Sequence, residues 1–140
     1  MDTLNATRAL GALSQESRLE AFRMLVQAGP EGMAAGEVAR ALGVPHNTMS
    51  SHLGILANAG LVGSRREGRS IIYTPDFAGI RALLSFLMED CCQGRPEDCA
   101  PVLDRVLQGC CAGPARAGAT ADPAQTAQPA DSVGNRRTTP

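Results

Sequence analysis

The sequence predicts a mostly α-helical fold that contains one short β-hairpin. Apolar residues make up 44% of the 140 residues, which is enough for a hydrophobic core, but aromatic residues make up only 3%. A core built mainly from Leu, Ile, Val, Met and Ala favours helices over aromatic-rich strands. Apolar residues also recur at steps of three and four in several segments, which is the helical period. The chain length fits one domain of ordinary size.

The first two helices are indicated by leucine spacing and by the residues that flank them. Leucines predict a first helix over about Leu4–Leu13. A second helix is predicted to begin after Ser14, a good N-cap, and to end at Gly29-Pro30. Its predicted inner face consists of Leu19, Phe22, Leu25 and Val26.

Two short helices separated by a tight turn follow. The first is predicted at about Ala35–Leu42, with Val38 facing inward. The second is predicted at about Pro45–Ala59, and Pro45 suits its first turn. Because the intervening turn contains Gly43, this arrangement is typical of the helix-turn-helix motif.

The second helix of this pair carries different side chains on its two sides. Met49, Leu53 and Leu56 share one side at helical spacing and are predicted to face the core. The other side is small and polar, which suits close approach to base edges and phosphates in a major groove. Histidine at position 52 fits either a phosphate contact or a hydrogen-bonded residue at the edge of the core. The predicted DNA contacts of this helix are Asn47, Thr48, Ser50, Ser51 and His52.

A basic hairpin is predicted directly after this motif. Two strand-like runs flank "REGR", whose Glu-Gly pair supplies turn chemistry. Three arginines and one glutamate give residues 44–75 a formal net charge of +2, whereas the whole chain carries −1. Such a hairpin after a helix-turn-helix is the wing of a winged helix. Arg65, Arg66 and Arg69 are therefore predicted to contact DNA.

The next helix is predicted to begin after Asp76, and it is strongly apolar. Phe77, Ile80, Leu84, Leu87 and Cys91 fall at steps of three and four. An apolar helix at the end of a small domain must bury its apolar side against another protein surface. We expect a homodimer formed through this helix and the first one, and two-fold proteins suit pseudo-palindromic DNA.

All five cysteines follow residue 87. The sequence shows neither an apolar run of the ~20 residues that a membrane span needs nor a signal peptide, so a cytoplasmic location is expected. Thiols stay reduced there, and clustered cysteines then indicate a metal-binding or redox-active site.

Four segments together resemble the ArsR/SmtB family of metal-responsive repressors, over about Leu4–Cys92: "ALSQESRLEAFRMLVQAG", "GEVARALGV", "MSSHLGILANAGLV" and "RREGRSIIY". The resemblance implies a homodimeric winged helix-turn-helix protein that represses operons and leaves operator DNA when a toxic ion binds. Many arsenic sensors of this family carry a Cys-x-Cys pair on the first helix of the helix-turn-helix, but the matching stretch Met33–Leu42 has no cysteine. Its zinc sensors use carboxylates and histidines on the last dimer helix, but "DFAGIRALLSFLMED" has no histidine. The resemblance therefore implies another branch of the family.

That branch senses As(III) or Sb(III) through a vicinal cysteine pair at the end of the dimer helix and a third cysteine nearby. The matching residues are Cys91, Cys92 and Cys99, and soft thiolates select soft ions. A loop containing Gly94 and Pro96 can return Cys99 to the pair. Three possibilities remain open for Cys110 and Cys111: they could supply the third thiolate, form a second soft site, or be inert.

The predicted organisation has three parts. Residues 1–92 form the DNA-binding and dimerisation domain, residues 93–112 form a cysteine-containing sensor extension, and residues 113–140 form a disordered tail. The tail carries one Val and no other large apolar residue, and it cannot bury enough surface to offset the entropy of ordering.

Three rival functions are compatible with parts of the sequence. A thiol-redox-sensing repressor would use the same DNA-binding part, and a winged helix could also bind only proteins. A bare Cys-x5-Arg motif from Cys99 to Arg105 resembles the phosphate loop of arsenate reductases. That loop lacks glycine, and Asp104 would repel an oxyanion, so we expect the protein not to be an enzyme.

Overall fold

The computed structural model describes residues 1–89, 91, 93 and 95–111, which fall in two compact units, Met1–Cys99 and Ala100 onward. The predicted tail, residues 113–140, lies outside the described residues. The helices are α1 (Thr3–Leu13), α2 (Glu16–Ala28), α3 (Ala35–Leu42), α4 (His46–Asn58), α5 (Phe77–Met88) and α6 (Pro96–Cys111). The strands are β1 (Met33–Ala34), β2 (Val62–Glu67) and β3 (Ser70–Pro75), and a 3₁₀ turn, Gly29–Glu31, follows α2.

The prediction of a mostly helical fold with a β-hairpin wing is confirmed. The helix-turn-helix pair has the predicted bounds for α3, and α4 begins one residue later than predicted because Pro45 is its N-cap. Gly43 ends α3 in the left-handed region at φ +64°, and its N–H donates to the carbonyls of Ala39 and Arg40. Glycine adopts this conformation without strain, which permits the tight turn.

The prediction that Ser14 caps the second helix is wrong, and the helix begins at Glu16, one residue later than predicted. Ser14 is instead the C-cap of α1, and its hydroxyl donates to the Gly11 carbonyl at 2.8 Å. Gln15 caps α2, because its side-chain oxygen accepts from the backbone N–H of Arg18 at 2.8 Å. A glutamine oxygen can satisfy an orphan N–H in the first turn as well as a serine can, although it is less common there.

A third strand, β1, was not predicted. It pairs antiparallel with β3, with Met33 opposite Tyr73, and the sheet order is β1-β3-β2. Gly32 precedes it at φ +71°, and a Cβ at this position would collide with the Tyr73 carbonyl oxygen. A two-residue strand is too short to show the alternating pattern that indicates strands in a sequence.

The core forms around the apolar side of α4. Met49, Leu53 and Leu56 are fully buried, as predicted, together with Leu25 of α2 and Val38 of α3. Alanines supply much of the remaining buried surface, and their small side chains let the first helices pack closely. These alanines are Ala6, Ala9, Ala12, Ala21, Ala35 and Ala39.

The buried face of α2 is narrower than predicted. Ala21 and Leu25, four residues apart, are fully buried, whereas Leu19 and Val26 are 43% and 37% exposed. Phe22 is partly buried against the core. Two of the four predicted inner residues therefore face outward, because the stripe that meets the core is centred on Ala21 and Leu25.

Helix α5 begins as predicted and ends earlier than predicted. The Asp76 carboxylate accepts from the backbone N–H groups of Ala78 and Gly79, both at 3.0 Å. The helix ends at Met88 because Glu89 adopts an extended ψ of 131°. Cys91 therefore lies in a turn after α5 and is not part of the helical stripe. Within the described ranges, no helix is both long enough and apolar enough to cross a membrane.

Gly79→Ala is expected to destabilise the protein. Alanine has the higher helix propensity, but a Cβ at position 79 would collide with the carbonyl oxygen of Gly60. Overpacking of this kind costs about 1–3 kcal/mol, measurable by urea denaturation. The matched control is Gly54→Ala, where a Cβ would meet no atom within 4 Å, and helix propensity predicts a gain of up to about 1 kcal/mol. Equal stability of the two variants would contradict this packing.

Candidate nucleic-acid interface and thiol site

The outward side of α4 presents the predicted polar residues to solvent. Asn47, Thr48 and Ser51 are exposed, and Ser50 is half-buried. Because the opposite side of α4 is anchored in the core, these side chains are held on a fixed helix. An exposed helix with short polar side chains fits the major groove, where such groups reach base edges.

His52 lies at the boundary between this polar side and the core. Its ring is half-buried, and Nδ1 is buried without a hydrogen-bond partner among the described residues. The expectation of a fully hydrogen-bonded histidine at the core edge is therefore not met at Nδ1. Nor can a buried Nδ1 donate to a phosphate, so any DNA contact by His52 must use the remainder of the ring.

The wing is an antiparallel hairpin with a two-residue loop. Glu67 pairs with Ser70, which leaves Gly68 and Arg69 as the loop. Gly68 has φ +59°, as the hairpin turns that match strand twist require at their first position. The side chains of Arg66 and Arg69 form no hydrogen bond or ion pair with any described residue. Their charges are therefore available to phosphates.

Arg65 differs from the other two wing arginines. Its Nε donates to Glu67 Oε1 at 2.8 Å, and its Nη2 donates to the Glu31 carbonyl at 2.8 Å. Successive strand residues point to opposite faces of the sheet, so Arg65 and Arg66 lie on different faces. The three arginines predicted as one DNA-contacting cluster thus have two kinds of environment.

A cleft of about 330 Å³ lies between the first turn of α3, the start of α4 and the wing. Arg40, His46 and Arg69 line it, together with Ser50 and Glu37. The Glu37 carboxylate accepts from the backbone N–H of Ala34 at 2.9 Å. Two arginines and an imidazole that converge from three elements can donate hydrogen bonds to a phosphate of the DNA backbone.

Sequence reasoning missed two residues of this cleft, Arg40 and His46. Arg40 lies on α3, outside the segment whose charge was counted, and His46 was assigned no role. A usable signal was the position of His46 as the first residue of α4, because helix starts often face phosphates. The convergence with Arg69 depends on tertiary structure.

The structure brings together two of the predicted thiol ligands. Cys91 Sγ lies 2.7 Å from Cys99 Sγ, and Cys91 is exposed while Cys99 is half-buried. Between them, Gln93 lies in a turn and has a positive φ of 45°. Cys99 lies in the first turn of α6, which begins at Pro96, whereas Pro96 was predicted to lie in a loop.

The other predicted ligands are placed less completely. Cys92 and Gly94 lie outside the described residues. Cys110 and Cys111 occupy the end of α6, and their side chains are not described. Among the residues that the structure describes, no group of three or more His, Cys, Asp or Glu side chains is arranged to hold a metal ion.

The rival phosphate-loop interpretation does not fit the secondary structure. Residues 99–105 are helical within α6, whereas a phosphate loop directs several consecutive backbone N–H groups toward one anion. Backbone N–H groups inside a helix are used for helical hydrogen bonds. The Cys-x5-Arg spacing therefore has no anion cradle here.

Comparison with known proteins agrees with the architecture. Residues 13–65 match a family model described as a helix-turn-helix domain. The HTH-type transcriptional regulator YgaV of Escherichia coli is 31% identical over 87 residues, which cover 62% of this chain and 86% of that protein. An ArsR-like transcriptional regulator from Rhodococcus sp. RHA1 superimposes with a TM-score of 0.53 and 27% identity, covering 76% of this chain and 90% of that chain.

The chain belongs to the ArsR/SmtB family. The transcriptional activator HlyU of Vibrio cholerae is also similar, with 28% identity over 92 residues that cover 66% of this chain and 82% of that protein. Its reduced form has a TM-score of 0.50 at 28% identity, covering 64% of this chain and 92% of that chain. This ArsR/SmtB protein is a transcriptional regulator with a winged helix-turn-helix DNA-binding domain.

Asn47→Ala is expected to weaken binding to a duplex taken from the DNA upstream of this protein's gene. Loss of one base or phosphate contact costs about 1–3 kcal/mol, measurable by fluorescence anisotropy. The control is Asn58→Ala, the same side chain at the other end of α4 beside α1, where a surface change costs less than about 0.5 kcal/mol. Equal losses of DNA affinity for both variants would contradict the expectation that the N-terminal part of α4 contacts the DNA.

Proposed function

We propose that this regulator is a repressor that binds operator DNA as a homodimer and releases it when As(III) or Sb(III) binds Cys91, Cys92 and Cys99. The observation that carries the proposal is the contact between Cys91 and Cys99, whose sulfur atoms lie 2.7 Å apart. Cys92 is adjacent to Cys91 in sequence and supplies the third thiolate of the proposed site.

The chemistry of these groups supports a soft trivalent ion. The candidate donors are sulfur atoms, and both histidines of the chain lie on α4, far along the sequence from the thiols. Sites of thiolate without imidazole or carboxylate prefer soft ions. Cys91 is exposed, so an ion can reach the site directly from solvent.

Two exposed apolar helices support the proposed dimer. Leu4 and Leu10 of α1 are 61% and 45% exposed, and Leu84 and Leu87 of α5 are 57% and 47% exposed. The two helices are neighbours in the fold. Burying such side chains against a second copy contributes roughly 25 cal/mol for each Å² of apolar surface removed from water.

The position of the thiols suggests how the ion acts on DNA binding. The backbone N–H of Cys91 donates to the Met88 carbonyl at 3.2 Å, so the thiol segment is joined directly to the last turn of α5. An ion held by both Cys91 and Cys99 constrains the segment between them. If α5 forms the dimer interface, this constraint favours a different separation of the two α4 helices, which must meet half-sites about 34 Å apart.

A redox sensor is a second candidate, and the same sulfur contact favours it. Two thiols in contact can lose two protons and two electrons to an oxidant such as hydrogen peroxide, which forms a disulfide and water. The similarity to HlyU, which is known in a reduced form, is compatible with such a function. Both candidates use the same DNA-binding surface, and they differ in the trigger.

Leu84→Asp is expected to weaken the dimer at least about a hundredfold, because burial of an unpaired charge costs several kcal/mol. Analytical ultracentrifugation measures this effect. The control is Leu19→Asp on α2, where the leucine is 43% exposed and lies outside the proposed interface. A Leu84→Asp protein that remains dimeric would show that α5 is not the interface.

Cysteine variants test the thiol site. Cys91→Ser and Cys99→Ser are each expected to raise the arsenite concentration for half-release of DNA by at least about tenfold, because each removes one of three thiolate ligands. The control, Cys110→Ser combined with Cys111→Ser, is expected to change it less than about twofold. Release of DNA by arsenite is followed by fluorescence anisotropy in an oxygen-free buffer, which keeps the thiols reduced.

The outcomes separate the candidates. Normal arsenite response of Cys91→Ser would remove Cys91 from the site. Release by hydrogen peroxide but not by arsenite, lost in both Cys91→Ser and Cys99→Ser, would establish the redox function instead.

A further inference from the structure

Arg65 spans the three-stranded sheet from one edge toward the other. It lies on β2, where it pairs with Ile72 of β3, and Ile72 in turn pairs with Ala34 of β1. Its guanidinium reaches the carbonyls of Pro30 and Glu31, at 3.5 and 2.8 Å, in the turn that precedes β1. The side chain therefore links the wing to the end of α2, on the far side of the central strand.

Two partners of Arg65 are backbone carbonyl oxygens that need a hydrogen-bond donor. The 3₁₀ turn Gly29–Glu31 ends the α2 region, and carbonyls at helix ends lack intrahelical partners. A guanidinium supplies charge-assisted hydrogen bonds to such carbonyls. Glu67 holds the same group from the wing side through Nε at 2.8 Å. Three nitrogen atoms of Arg65 are thus engaged within the protein.

The wing has few other supports. Its buried residues are Val62, Tyr73 and Pro75, and all residues from Ser64 to Ile71 are exposed. A two-stranded hairpin without a buried face is marginally stable in water. Arg65 lies midway between the buried Val62 and the loop glycine Gly68, where one link to the body of the domain limits the motion of the loop.

We propose that Arg65 is a positioning residue that fixes the wing, and that Arg66 and Arg69 are the wing arginines that contact DNA. The proposal rests on DNA binding by the wing, and it assigns two different roles within the cluster. Removal of Arg65 lets the hairpin move in the free protein, whereas removal of Arg66 leaves the hairpin in place and deletes one phosphate contact.

The salt dependence of DNA binding distinguishes the two roles. Each phosphate contact contributes about 0.9 to the slope of log K against log salt concentration. Arg66→Gln is expected to reduce the slope by about that amount. Arg65→Gln is expected to weaken binding by about three- to tenfold, the effect of one exposed charge-assisted hydrogen-bond network, with little change of slope. Arg65→Lys, which keeps the charge but cannot reproduce the fork of donors, is expected to behave like Arg65→Gln.

A second readout needs no DNA. Amide hydrogen exchange of β2 and β3 in the free, full-length protein is expected to be about three- to tenfold faster in Arg65→Gln than in wild type, and unchanged in Arg66→Gln. Binding is measured on a fluorescent duplex from the DNA upstream of the gene and on a mixed-sequence duplex of equal length.

The results decide the proposal whether or not the promoter duplex is the operator. A slope loss of about 0.9 in Arg65→Gln with unchanged exchange would make Arg65 a phosphate contact and overturn the proposal. Faster exchange only in Arg65→Gln supports it. If wild type binds neither duplex, DNA binding itself fails, and the exchange data still test the role of Arg65 in holding the wing.

Discussion

The apolar side of α4, formed by Met49, Leu53 and Leu56, is fully buried in the same core as Leu25 and Val38, and the position of the polar side chains on the opposite side of α4 depends on this packing. Because α4 is anchored along its apolar side, its polar side can face only outward. Short polar side chains are therefore held at the surface without large charged groups on the same side. The same anchoring places the start of α4 beside α3, where the cleft lined by Arg40, His46 and Arg69 forms.

The tertiary structure brings together basic side chains that lie in separate segments of the sequence. The chain has a formal net charge of −1, yet Arg40, His46 and Arg69 line one cleft. The one carboxylate in that cleft, Glu37, is engaged by a backbone N–H. Net charge alone would have argued against a nucleic-acid partner, and the local arrangement reverses that conclusion.

The sequence predicted what depends on local spacing and local capping. The bounds of α3, the buried triplet of α4, the Asp76 cap and the hairpin after Leu61 all follow from residues within a few positions of each other. The features that the sequence did not predict depend on contacts between residues distant in the chain or on local backbone geometry. Strand β1 exists because of its pairing with β3, and the carbonyl partners of Arg65 lie 34 and 35 residues away.

The same distinction applies to the candidate sites. The exposed positions of Asn47, Thr48 and Ser51 could be predicted because the helical period fixes which residues oppose the core. The meeting of Cys91 and Cys99 was predicted from the turn-forming residues between them. The helical setting of Cys99 was not, because Pro96 suited both a loop and the first position of a helix.

The end of α5 at Met88 has a consequence for how such a protein can change over evolutionary time. Since the helical backbone ends at Met88, residues beyond Glu89 can vary without altering the helical register or the apolar face of α5. If the thiols of this segment bind the ion as proposed, insertions, deletions or exchanges of residues there would change what is detected and leave α4 and the wing intact. The specificity for the ion would then be separable from the specificity for DNA, and each could be selected independently.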